Sequence, residues 1–71
     1  MWIFRTRVGV FCVRFFNGRY HALFGDENLG NYATPQQAAE DLAGGYTDWP
    51  SCGDPSRFGL PSDIGEWERV R

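Results

Sequence analysis

Lysine is missing altogether, cysteine occurs twice, histidine once, and no long run of uncharged apolar residues exists anywhere in the 71 residues. Each shortage excludes something. Without lysine, all seven basic residues are arginine, which fits either GC-rich coding or a need for planar guanidinium forks. Cys12 and Cys52 form neither a CxxC pair nor a dense disulfide framework. They read as reduced thiols in a cytoplasmic protein, with a single bridge between them as the alternative. The opening MWIFRTRVGVFCVRFF is interrupted by Arg5, Arg7 and Arg14, so that only Val8–Val13 is uncharged. That is too short for the apolar segment of an export signal or a membrane span. A chain of this length also leaves no room for a second core, and the reading is one domain over residues 1–71.

Aromatic residues are plentiful: six Phe, three Trp and three Tyr. Each can bury roughly 150 to 250 Å², which compensates for the short chain. Charge is unevenly placed. Residues 1–25 hold four arginines and no acid, whereas residues 26–71 hold three arginines and all nine acids, for a net charge of −2. A basic N-terminal half suits an acidic partner, yet the overall acidity argues against a protein built chiefly to coat nucleic acid.

The stretch FFNGRY places Asn17-Gly18 between apolar runs, the strongest short hairpin signal, because a type I′ turn needs two residues that accept positive φ. A two-residue loop fixes the register: Phe16 faces Arg19, Phe15 faces Tyr20, Arg14 faces His21, Val13 faces Ala22, Cys12 faces Leu23 and Phe11 faces Phe24. By alternation, Phe11, Val13, Phe15, Tyr20, Ala22 and Phe24 form the core face. Cys12, Arg14, Phe16, Arg19, His21 and Leu23 form the other. Trp2–Thr6 reads as a further strand, GDEN at 25–28 as a turn, and Leu29–Ala33 as the last strand of the meander.

Thr34, Pro35 and Gln37 signal a helix start with a Thr-x-x-Gln capping box, and Gly44-Gly45 signals its stop. The predicted helix, residues 35–43, offers the small apolar stripe Ala38, Ala39, Leu42 and Ala43, and must pack on the sheet to persist. From residue 46 to 71 the chain is rich in Gly, Pro, Ser and Asp. Trp49, Phe58, Leu60, Ile64 and Trp67 recur there as anchors, so an irregular tail is expected to wrap the domain, with Ser62 capping one short turn. The fold class is therefore α+β: a three- to four-stranded antiparallel meander over residues 1–33, one short α-helix on one face, and a wrapping tail.

No catalytic or cofactor motif is present. Cys12 and His21 share a predicted face, as a thiol nucleophile and imidazole base would, but no orienting carboxylate or oxyanion loop accompanies them. Cys12, His21 and Cys52 lack metal-ligand spacing, GDENLG lacks the strand-to-helix setting of a phosphate loop, and the tail acids read as turn caps. The expectation is a non-enzymatic module without metal or cofactor, a monomer or weak dimer, binding a partner through Arg5, Arg7, Arg14, Phe16, Arg19 and His21. Another protein is the first choice of partner. Nucleic acid is the alternative, since the same groups can meet phosphates and bases.

LGNYATPQQAAEDLA after consecutive strands resembles the three-stranded DNA-binding domain of plant ethylene-response factors and the arm-binding domain of phage integrases. In that family a strand ending Leu-Gly-x-aromatic passes through a Thr into an Ala-rich helix, as Leu29, Gly30, Tyr32, Thr34, Ala38 and Ala39 do here. The resemblance covers residues 10–43 and implies a sheet face that enters the major groove, with Arg14, Arg19 and His21 upon it. The strand–helix–tail order is also similar to that of small bacterial proteins, a likeness that implies no activity.

Overall fold

In the computed structural model, which describes residues 1–71, four strands run as an antiparallel meander: β1 (Trp2–Thr6), β2 (Gly9–Phe16), β3 (Arg19–Phe24) and β4 (Glu27–Tyr32). A fifth strand, β5 (Glu68–Arg69), returns from the tail to pair with β1, giving the order β4-β3-β2-β1-β5. The β2–β3 register is the expected one at all six pairs, from Phe16 opposite Arg19 to Phe11 opposite Phe24. Asn17 (φ 53°) and Gly18 (φ 75°) both take the left-handed conformation that a type I′ turn demands. The next turn is tighter than expected: β4 begins at Glu27, and a bulge opposite Ala22 and Leu23 lets Leu29 reach the core.

Helix α1 (Pro35–Gly44) lies on one face of the sheet. The Thr34 hydroxyl accepts from the Gln37 N–H at 3.2 Å, but the reciprocal half of the capping box is not made. Gln36 is the busier side chain. Its amide donates to Glu40 and to the Ser62 carbonyl and accepts from the Ile64 N–H, so it clips the tail onto the helix. Gly45 (φ 76°) closes α1, with the Tyr46 N–H on the Asp41 carbonyl and the Gly45 N–H on that of Leu42, the bonding of a Schellman motif. Ala38, Ala39 and Leu42 are fully buried against Phe11, Val13, Ala22 and Leu29, and the alanines permit the close approach that completes the core.

The tail forms two 3-10 turns, η1 (Pro55–Phe58) and η2 (Ile64–Glu66), capped by Asp54 and Asp63. Asp63, rather than the expected Ser62, caps the second because its carboxylate reaches the Gly65 N–H at 2.9 Å. Leu60 and Trp67 join the core on the helix side, where the Trp67 indole donates to the Pro61 carbonyl and its ring packs on Phe4. Trp49, expected as an anchor, is 60% exposed; its indole N–H bonds the Gly45 carbonyl at the helix end. Phe15, expected in the core, is 56% exposed. An eight-residue strand spans about 26 Å and a ten-residue helix about 15 Å, so the hairpin end of β2 protrudes beyond its cover. There Phe15 packs on Tyr20, and Tyr20 on Trp2.

Candidate functional site

Helix and tail both pack on the face bearing Phe11, Val13 and Ala22. The opposite face is left open, and the register arranges its side chains in cross-strand rows. Phe16 and Arg19 form the row nearest the hairpin turn. Arg14, His21 and Asn31 form the second, and Ile3, Cys12, Leu23 and Asn28 the third. Arg14 and Arg19 are exposed, Phe16 is half-buried, and His21 is only 9% exposed.

His21 is buried by its neighbours within the sheet face. Its ring stacks on Phe16 with centroids 3.8 Å apart and planes 10° from parallel. Nε2 lies 3.1 Å from the Phe16 carbonyl, which can only accept, so Nε2 carries the proton. At the other nitrogen the Asn28 amide donates to Nδ1 at 3.0 Å. The amide orientation is fixed independently, because the Asn28 carbonyl oxygen accepts from the Gly30 N–H at 3.1 Å. Both ring nitrogens are occupied. His21 holds the face together and offers no nitrogen to a partner or to Cys12.

The arginines differ from one another. Arg14 places its guanidinium 5.8 Å from the Phe16 ring centroid, and Arg19 is pinned by its Nε donating to the Asn31 side-chain oxygen at 3.0 Å. Neither has a carboxylate partner, since the molecule makes a single salt bridge, Arg5 with Glu68. Arg5 therefore sits on this face two rows beyond Arg14 with its charge matched. Arg7 leaves the face: β1 ends at Thr6, and the Arg7 guanidinium lies over Phe58, 5.6 Å from its centroid, on the covered side. Of the six residues expected from sequence, four are brought together here, one lies at the periphery and one points elsewhere. Asn28 and Asn31 were missed because the expected turn at 25–28 took in Asn28, and the strand at Leu29–Ala33 had no register to place Asn31. The two lie three residues apart and share the face only because the bulge at Leu29 breaks the alternation, which no local pattern announces.

Burial raises the Cys12 thiol above its ordinary value, outweighing the lowering influence of the N-terminal ammonium and of Arg14. Its Sγ contacts the Met1 Sδ at 3.5 Å. With the thiolate disfavoured and His21 engaged, the nucleophile–base pair considered from sequence is not assembled. Cys52 packs against the core on the far side of the sheet, so it cannot join Cys12 in a bridge or a shared metal set. The structure has no pocket able to enclose a small molecule, and no helix is long and apolar enough to cross a membrane. What the open face offers is a flat surface with two guanidinium groups free of carboxylate partners, that of Arg19 fixed by Asn31, beside an apolar shelf. Comparison with known proteins finds no matching family model and no significant match among curated proteins or solved structures.

Proposed function

We propose that this chain is a small non-enzymatic binding module of the cytoplasm, monomeric or weakly dimeric, that engages another protein through the open sheet face. One observation carries the reading: Arg19 is fixed by Asn31 and Arg14 lies over Phe16, yet neither has a carboxylate of its own, although the chain has nine acids. A guanidinium positioned in advance loses less freedom on meeting an acceptor. Its planar fork matches a carboxylate in two hydrogen bonds.

Nucleic acid is the second reading, and phosphates would satisfy the same forks. Sequence-tolerant binding of single strands relies on bases stacking on free aromatic faces. Here one face of Phe16 is occupied by His21, and Arg14 reaches over the ring. The acidic balance of the chain adds a repulsive field. Both features favour the protein partner.

The test is an NMR titration of the labelled protein with poly-glutamate, single-stranded DNA and duplex DNA at low salt. Poly-glutamate is expected to shift the amides around Arg14, Arg19 and His21 and to lose its effect as salt is raised. Shifts confined to the helix side, or none at millimolar ligand, would refute the reading. A stronger response to either DNA would replace it with the second.

A further inference from the structure

We infer that the segment recognised by this face is an extended strand whose alternate residues read acidic–x–acidic–x–apolar. The inference rests on the protein-binding reading above and follows from the order of the rows. Along the hairpin from its turn, Arg19 stands in the first row, Arg14 in the second, and the half-buried Ile3, Cys12 and Leu23 in the third. Successive rows on one face are two residues apart, about 6.6–6.8 Å. An extended segment laid along the strands presents its own residues i, i+2 and i+4 at that same interval. Two carboxylates would meet the two forks, and the third side chain would fall on the shelf.

An extended occupant fits this surface better than a helix. On the covered side α1 approaches through Ala38 and Ala39 onto Val13 and Ala22, all fully buried and all small enough for close contact. The open side carries Arg14, Phe16, Arg19 and His21 at the neighbouring positions, and their bulk holds a helix away. The sheet edges are also less available than the face. The tail covers the β4 edge, where the Asp48 N–H bonds the Leu29 carbonyl and Ser51 bonds Glu27, while β5 covers the start of β1. Recognition therefore uses side chains on the face rather than addition of a strand to the edge.

Three labelled peptides of one composition decide the matter by fluorescence anisotropy: Thr-Glu-Thr-Glu-Thr-Ile-Thr, an isomer with adjacent glutamates, and an isomer with the glutamates four residues apart. The alternating peptide is expected to bind about five-fold more tightly than either isomer, the gain of one well-placed exposed pair. Arg14→Ala and Arg19→Ala should each remove about that factor with unchanged circular dichroism. Equal binding of all three peptides, or indifference to both substitutions, would overturn the inference. If poly-glutamate still shifts the face while the peptides bind alike, only the acidic–x–acidic–x–apolar order falls. If poly-glutamate has no effect, the binding reading falls with it.

Discussion

The two faces of the β2–β3 hairpin share one backbone and one register but reach burial by different routes. On the covered face, Phe11, Val13 and Ala22 are wholly excluded from solvent by residues brought from elsewhere: Ala38, Ala39, Leu42, Leu60 and Trp67. On the open face, His21 is nearly as buried, but by its own neighbours, through the Phe16 ring, the Phe16 carbonyl and Asn28. The first route requires the tertiary fold. The second requires only correctly paired strands, and it leaves the arginines beside it facing outward. No buried side-chain polar atom lacks a partner on either face, so the open face is a finished surface and not a core awaiting a lid.

The contrast can be broken most directly by substitution. Leu42→Ala empties a fully buried site beneath the helix and should lower stability by about 2–5 kcal/mol in urea unfolding. Arg14→Ala, on the exposed face, should change it by no more than about 0.5 kcal/mol. Equal losses would mean that the open face is structural after all. Between these lies His21→Ala, which removes the Phe16 stack and leaves the Asn28 amide without its acceptor. Its expected cost is about 1–3 kcal/mol, seen as an earlier unfolding midpoint with no change in the packing signals of Trp67. A neutral result would show that burial from within the sheet face contributes nothing.

The smallest effect tests the margin of the covered face, where Tyr32 pairs with Tyr20 and lies near the helix. Burial, followed by the neighbouring Asp41 carboxylate, pushes the Tyr32 phenol from 10 up to about 12. The unfolded chain then loses this proton before the folded one does. The contribution is fully present below pH 10 and is lost as pH rises from 10 towards 12. Tyr32→Phe should flatten this part of the stability profile, because phenylalanine has no proton to lose. Parallel alkaline profiles for the two proteins would refute the assignment.

What could be read from sequence follows the reach of local rules. Asn17-Gly18 pinned six cross-strand pairs because a type I′ turn admits one register. Thr34-Pro35 and Gly44-Gly45 bounded the helix because their side chains and φ preferences act within one turn. Errors began where length had to be compared across elements. Phe15 alternates like a core residue, but the helix is too short to cover it. Trp49 has the composition of an anchor, yet its indole N–H is satisfied at the helix end and its ring stays outside. At the site, alternation found Arg14, Phe16, Arg19 and His21. It misplaced Arg7, which lies in the turn just beyond the end of β1 at Thr6 and so does not continue the alternation that places Arg5.

By itself, then, the sequence determined the α+β class, the central hairpin and its register, the helix with both its ends, and the pair of chemically distinct faces. Local conformational preferences and strict alternation are encoded within a few residues, so they need no knowledge of the whole. Only the tertiary structure decided that the tail joins the helix on one side, that β5 returns to β1, and that His21 is consumed by Phe16 and Asn28. These depend on contacts between residues far apart in the chain, where many pairings satisfy composition and only one satisfies burial and hydrogen bonding together.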